Sequence, residues 1–422
     1  MTHGALSGPR SSARTGVAAL VGGAAFGQFL IFAITPWLTR LYEPTAFGAF
    51  SVASAIALVM AAGLSGRLEF AIPLPKDQRE ARNLLDVSVT IATLLTCVFL
   101  VLFLYSAEQF AQWLSAPEFA LMAPLIPLIA FSVALFSILN QWAMRLGHYR
   151  LAAGRNVAQA AGTASFQLGG GLAGVGPAGL LAGLGFGQAV GTLMLLPALR
   201  GTTFRGSTFE RLHLAKRYRH FVLLLAPSGV INSLSLYLPV SIIGGAYGVA
   251  AAGLYGLTIR VLNGPLGIIG IAAGQVYGAE FARSRRETGA APMGLFIRAT
   301  TWLLLLSASF ACVVALFGPW AFGKIFGEGW SQSGEIARIL IFAVSLQLIV
   351  SPLTTTLSFV GKVKTQATWE LLRSLSIIAS LLVPVIGGVS LIGTLSIYSF
   401  VSGVSYAACW GLCFAAIRRT RI

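Results

Sequence analysis

The amino-acid sequence predicts an all-α polytopic membrane protein of twelve transmembrane helices in two halves of six. Three observations predict it. Hydrophobic residues make up 56% of the 422 and charged residues only 10%, too little polar surface to coat a water-soluble globule. The apolar residues fall into twelve runs, and a bilayer core of about 30 Å takes about 20 residues of helix. Lysine and arginine collect in every second loop between those runs, the pattern of cytoplasmic loops.

The spans of the first half are expected over 16–38, 46–66, 84–105, 119–140, 156–175 and 177–199. Those of the second half are expected over 221–244, 249–277, 299–317, 335–360, 365–388 and 391–417. The first run follows Arg10 and Arg14 as a signal peptide would, but it is too long for a signal core and lacks a cleavage site, so it is read as a span. Basic clusters then follow spans two (Arg67, Lys76, Arg79, Arg82), four (Arg145, Arg150, Arg155), six, eight (Arg283, Arg285, Arg286, Arg298) and ten (Lys362, Lys364), with Arg418, Arg419 and Arg421 in the tail. Of the 29 basic residues, Arg40 and Lys324 alone fall in the alternate loops, and Arg260, Arg338 and Arg373 within spans. The asymmetry requires an even number of spans and places both termini in the cytoplasm. Trp37, Trp142 and Trp369 near span ends, and Trp113, Trp320 and Trp330 in outer loops, mark the same boundaries.

The longest loop falls at the midpoint and carries Arg200, Arg205, Arg211, Lys216, Arg217 and Arg219. It divides the chain into an N-terminal lobe (1–199), a basic cytoplasmic connector (200–220) and a C-terminal lobe (221–422). Ala46-Phe47-Gly48-Ala49-Phe50 opens span two and Ala252-Gly253-Leu254-Tyr255 opens span eight, a faint parallel repeat.

The net charge of +16 sits in short loops, where it sets topology rather than binding nucleic acid. Cys97, Cys312, Cys409 and Cys413 lie inside apolar runs and read as buried free thiols. The four histidines (His3, His148, His213, His220) lie in the tail or at basic loops, so no metal site is expected. There is no P-loop, no HExxH and no cluster of His with carboxylates. No cofactor and no catalytic residue are expected, and any driving force comes from an ion gradient, the membrane potential or the substrate gradient.

Gly179, Gly183, Gly187 and Gly191 recur every four residues in span six, a ridge for close helix packing or for sliding. Arg260 lies about 16 Å into span eight at 1.5 Å per residue, near the midplane. A central arginine costs about 2.5 to 3.5 kcal/mol on insertion scales, so it should face a hydrated cavity or an ion partner. Asn263 is one turn away, and Pro265 removes a backbone donor beside it, with a kink expected there. Glu370 and Arg373 share a face of span eleven, either as an intrahelical pair or as an anion contact (Arg373) with a coupling carboxylate (Glu370). Arg338 can reach the outer headgroups. Arg67 and Arg40, at the ends of spans two and one, are placed to meet phosphate at a cavity mouth.

Several stretches resemble one family. They are Thr35-Pro36-Trp37-Leu38-Thr39-Arg40-Leu41-Tyr42-Glu43-Pro44 with Phe47-Gly48-Ala49-Phe50, and Arg67-Leu68-Glu69-Phe70-Ala71-Ile72-Pro73-Leu74-Pro75-Lys76 with Glu80-Ala81 and Asn83-Leu84. Gly253-Leu254-Tyr255 through Arg260, Pro265 and Gln275-Val276-Tyr277, then Phe326-Gly327-Glu328-Gly329-Trp330, Ser351-Pro352-Leu353 and Trp369-Glu370-Leu371-Leu372-Arg373, continue it in order. The chain is similar to the bacterial oligosaccharide-lipid flippases of polysaccharide biosynthesis, of O-antigen or exopolysaccharide type, in the multidrug/oligosaccharidyl-lipid/polysaccharide exporter superfamily. The resemblance implies two six-helix lobes around a central cavity that opens alternately to each side of the cell inner membrane. It implies a polyprenyl-diphosphate-linked glycan moved from inner to outer leaflet, and leaves open a glycan polymerase and export machinery as partners. On that reading Arg260 and Arg373 would contact the diphosphate, with Asn263, Arg67 and Arg40 as further contacts and Glu370 for coupling. The alternative is a cation-coupled multidrug exporter of the same superfamily.

Overall fold

The computed structural model describes residues 9–114, 116–200, 208–288 and 291–419. Residues 201–207 of the basic connector, with Arg205, and the ends carrying His3 and Arg421 lie outside the described residues. Among those described there is no strand. Twelve helices are long: α1 (Pro9–Ala33), α2 (Pro44–Leu64), α3 (Gln78–Tyr105), α4 (Leu125–Arg145), α5 (Tyr149–Leu172), α6 (Pro177–Leu195), α7 (Ala226–Tyr247), α8 (Val249–Thr288), α9 (Met293–Phe326), α10 (Ser331–Val350), α11 (Val363–Ile386) and α12 (Leu391–Arg419). Among the described residues eleven helical segments are long and apolar enough to cross a membrane, which makes the chain a multi-pass membrane protein. α5 is the exception. Its 24 residues reach about 36 Å, but Arg150, Arg155, Asn156, Gln159 and Gln167 lower its hydropathy below that of the others.

Whole faces of the long helices expose Leu and Val, among them Leu94, Val98, Val101 and Leu102 on α3 and Leu305, Val313 and Leu316 on α9. In water such patches would mark an interface; on a spanning helix they are the surface offered to lipid. Cys97 and Cys312 lie on these exposed faces, whereas Cys409 and Cys413 are buried, and all four are free. The expectation of four buried thiols therefore fails for two, because an apolar run does not say which of its faces meets lipid.

The chain divides into two compact units. The first comprises residues 1–42 and 49–237. Its tightest seam joins α5 and α6. A Cβ on Gly187 would run into Thr163 and the Gln159 carbonyl, one on Gly183 would lie 3.0 Å from the Gln167 backbone nitrogen, and one on Gly170 would lie 3.2 Å from the Gly179 Cα. The glycine ridge of α6 is thus a packing surface for α5. Tyr42 donates to the Gln167 carbonyl (2.8 Å) and Gln167 donates to that of Leu180 (2.9 Å), tying the chain after α1 to the same seam.

At the end of α3 that carries the basic residues, the helix Thr208–Arg217 is fastened by ion pairs. Arg79 meets Glu210 (3.1 Å), Arg217 meets Glu80 (3.0 Å), and Asp86 sits between Arg82 (3.3 Å) and Arg211 (3.1 Å). The Tyr218 hydroxyl donates to Glu80 (3.2 Å), and burial with that carboxylate holds its pKa above the ordinary phenol value.

The second unit comprises residues 43–48 and 238–422. Its core gathers Tyr277, Phe281, Phe296, Leu353, Leu357, Trp369, Tyr406, Cys409 and Cys413. The two repeated small-aromatic stretches lie against each other here. A Cβ on Gly48 would run into the Val249 carbonyl and one on Gly253 into that of Pro44, so each glycine admits the other helix's backbone. Thr258 donates to the Ser333 carbonyl (2.9 Å) and Ser333 to that of Leu254 (3.1 Å), joining α8 to α10. At 40 and 34 residues, α8 and α9 run about 60 and 51 Å, well beyond a 30 Å core. Their shared end carries the ion pair Arg298–Glu280 (3.6 Å).

Candidate functional site

Arg260 and Asn263 lie one turn apart on α8, and both are half-buried. The Arg260 guanidinium carbon is 5.9 Å from the centroid of Phe47, whose ring meets Trp330 edge-on at 5.4 Å. A guanidinium over an aromatic face is attracted by the ring quadrupole. Asn263 lines a cavity of about 280 Å³ with Leu266, Gly267 and Gly270 of α8, Val344, Gln347 and Leu348 of α10, and Ser351. Its polar groups are neutral amides and a hydroxyl. α8 continues as helix through Pro265, so this polar stretch is not an unwound break.

Arg373, on α11, is 7% exposed and belongs to a different recess. It lines a groove of about 660 Å³ between α11 and α12 with Lys364, Thr365, Thr368, Trp369, Ser376, Phe400, Val404 and Leu412, among others. The guanidinium carbon is 5.5 Å from the Trp369 ring and 5.7 Å from the Tyr406 ring. Trp369 is pinned by donating to the Ser405 carbonyl (2.9 Å). The Arg373 Nε is buried with no partner, which leaves a donor for an anion.

Glu370 does not serve as the counter-ion. It is exposed and accepts from Gln366 (3.1 Å), which in turn accepts from Ser358 (2.6 Å), and no ion pair joins it to Arg373 among the described residues. Of the two readings open for this pair, the intrahelical salt bridge is the one the geometry lacks.

Arg67 and Arg40 lie in the first unit. Arg67 is the one non-glycine residue with positive φ (57°) among those described, a left-handed conformation uncommon outside Gly and Asn. Its guanidinium carbon lies 5.3 Å from the Phe70 centroid and its Nε is buried without a partner. The neighbouring Glu69 carboxyl is 3% exposed. Burial pushes its pKa up, while the Ser65 hydroxyl bonded to it and the charge of Arg67 pull it back. Arg40 is exposed in the last turn of the helix Thr35–Leu41. Arg338, on α10, is exposed and donates to the Leu316 carbonyl (3.1 Å).

Three features escaped the sequence. The Trp369–Tyr406 box around Arg373 joins residues 37 apart on two helices, and Gln347 and Ser351 meet Asn263 only through tertiary packing. The third is Arg155. Assigned by hydropathy to a loop, it lies in the second turn of α5 and is 7% exposed. The signal was local: Gly147 has φ 74°, a turn that restarts the helix at Tyr149, ahead of the apolar run.

A family model described as "Polysaccharide biosynthesis protein" matches residues 37–335. Among solved structures, the lipid II flippase MurJ in an inward closed conformation superposes with a TM-score of 0.75 at 12% identity, over 95% of this chain and 90% of that one. An inward-facing multidrug resistance MATE family transporter of the MOP superfamily gives 0.61 at 13% identity over 96% of each chain. A MOP superfamily transporter from Pyrococcus furiosus, described as having a binding pocket of reverse polarity, gives 0.56 at 15% identity over 97% of each. No curated protein matches at a significant level. At these identities the structural likeness shows the fold alone, which is similar to that of these transporters.

Proposed function

The chain belongs to the polysaccharide biosynthesis protein family, and from that premise we propose that it carries a polyprenyl-diphosphate-linked oligosaccharide from the inner to the outer leaflet of the cytoplasmic membrane by alternating access. The proposal includes twelve spans, α5 being the twelfth, with both termini cytoplasmic, and the lobes 1–199 and 221–422 joined by the connector 200–220. Arg260 and Arg373 receive the diphosphate, Asn263 and the half-buried Arg67 contribute hydrogen bonds, and the exposed Arg40 acts at the cavity mouth. Glu370 is the carboxylate available for coupling.

The observation that carries this reading is the sign of the charge within the spans. Arg260 and Arg373 lie about 16 and 15 Å along α8 and α11, each against an aromatic ring. Among the carboxylates, Asp86 lies between two arginines, Glu280 pairs with Arg298, Glu370 is exposed, and the buried Glu69 lies outside the long helices, in the short turn Leu68–Ala71, bonded to Ser65 beside Arg67. A diphosphate cannot cross hydrocarbon unaided, and desolvated guanidinium groups offer it charge-assisted hydrogen bonds. A pump for cationic drugs calls for the opposite, a carboxylate within a span.

The test is to delete the gene and measure which leaflet holds the lipid-linked glycan, by its accessibility to an externally added glycan-modifying enzyme. Accumulation on the cytoplasmic face is expected. Unchanged outward exposure, or loss of resistance to cationic drugs with normal glycan export, would favour the multidrug alternative.

A further inference from the structure

Arg155, grouped by sequence with the basic loop residues, is a buried cation that the proposed substrate path does not use. Its guanidinium carbon lies 3.6 Å from the centroid of Phe136 on α4. Nη2 donates to Asn156 Oδ1 (2.9 Å), while Nε and Nη1 are buried with no partner. All 13 acidic side chains of the sequence fall among the described residues, and none of them pairs with Arg155. Arginine does not shed its proton, so the charge requires an external counter-charge or water.

The surroundings say which. Phe136 and Asn140 lie four apart on α4, and Gln188 and Thr192 lie four apart on α6 on either side of Gly191, so each pair shares a helix face. A methyl group on Gly191 would sit 3.0 Å from Phe136 and 3.1 Å from Gln159, one turn beyond Arg155. The Phe136 ring therefore touches both the guanidinium and the α6 turn that carries Gln188 and Thr192. Asn140 Oδ1, Gln188 Oε1 and Thr192 Oγ1 are each buried without a partner. Amides and hydroxyls can turn their N–H and O–H groups toward an acceptor. A buried cation with two unpartnered N–H donors and no carboxylate partner among the described residues suits an anion. One arginine balances one negative charge; a diphosphate would leave the pocket with excess charge in a low-dielectric interior.

We propose that the first unit holds a binding site for a small monovalent anion, such as chloride, at the Arg155 guanidinium, framed by Phe136 and the polar faces of α4 and α6. The site stands apart from the diphosphate contacts and does not depend on them.

The full-length protein in detergent, unfolded thermally in sodium chloride and in sodium gluconate of equal ionic strength, tests it. A melting temperature that rises saturably with chloride and not with gluconate is expected, since a ligand of the folded state alone stabilises by mass action. Arg155→Gln should remove the chloride dependence. The same melting temperature in both salts would overturn the proposal, as would an Arg155→Gln protein that keeps the shift. A larger rise with inorganic phosphate than with chloride would overturn the monovalent assignment. Should Arg155→Gln fail to fold, crystals of the wild-type protein grown in bromide decide: an anomalous peak within hydrogen-bonding distance of Arg155 is required, and its absence there refutes the site.

Discussion

The arginines at the end of α3 and those inside the spans are chemically identical and lead opposite lives. Arg79, Arg82, Arg211 and Arg217 each meet a carboxylate on α3 or on the helix Thr208–Arg217. Arg155, Arg260 and Arg373 meet aromatic rings. The first group fastens the helix Thr208–Arg217 to α3, and an exposed pair such as Arg79–Glu210 contributes little. Among the described residues Arg155 and Arg373 form no ion pair with a carboxylate, although desolvation makes charge expensive there. A cation kept there against a ring retains its donors for something that arrives.

The comparison breaks first at Arg373. Arg373→Ala should lower glycan-lipid translocation roughly ten- to hundredfold, the loss of about 1.5 to 3 kcal/mol carried by one charge-assisted hydrogen bond. Lys76→Ala, in an exposed loop, should leave transport unchanged at equal membrane abundance. Arg373→Lys keeps the charge but not the planar face between Trp369 and Tyr406, so it should recover only part of the activity. Equal transport by Arg373→Ala and wild type would place Arg373 with the structural arginines.

Asp86→Asn sharpens the other side. It strips the shared partner from Arg82 and Arg211, both half-buried, and should cost roughly 1 kcal/mol of stability. It should also increase proteolytic cleavage within the connector while transport stays near wild type. A transport loss as deep as that of Arg373→Ala would show that the connector is part of the carrier mechanism.

The smallest effect is at Glu69, buried without a full counter-ion. Its pKa in the folded protein is raised, so the folded state holds the proton more tightly than the unfolded chain does. Its stabilising contribution is full below the ordinary carboxylate value of 4.5 and fades as pH rises through the raised value. Glu69→Gln should flatten that part of the pH–melting profile and cost nothing at neutral pH. A destabilised Glu69→Gln protein at pH 7 would mean that the ionised carboxylate is needed by Arg67.

Much of this was legible in the chain because hydropathy and the distribution of lysine and arginine are direct records of the membrane environment. They located the long helices, and the arginines left over after topology was accounted for included Arg260 and Arg373. The limits have physical causes. α5 is long enough to span yet carries too many amides and arginines for hydropathy to place its start, and Arg155 was lost to a loop for that reason. The exposure of Cys97 and Cys312 depends on which face meets lipid, which periodicity does not reveal in a helix apolar all round. Apart from Trp369, four residues before Arg373 on α11, the ring partners of Arg155, Arg260 and Arg373 come from other helices, with Phe47 about two hundred residues from Arg260.

The most direct measurement uses the purified protein in liposomes that carry a polyprenyl-diphosphate oligosaccharide, with the fraction of glycan reachable from outside followed over time. Wild-type protein should equilibrate the lipid between leaflets, while the double variant Arg260→Ala/Arg373→Ala, equally folded and inserted, should leave it where it began. Equal rates for the two proteins, or no transfer by the wild type, would contradict a cationic path for the diphosphate.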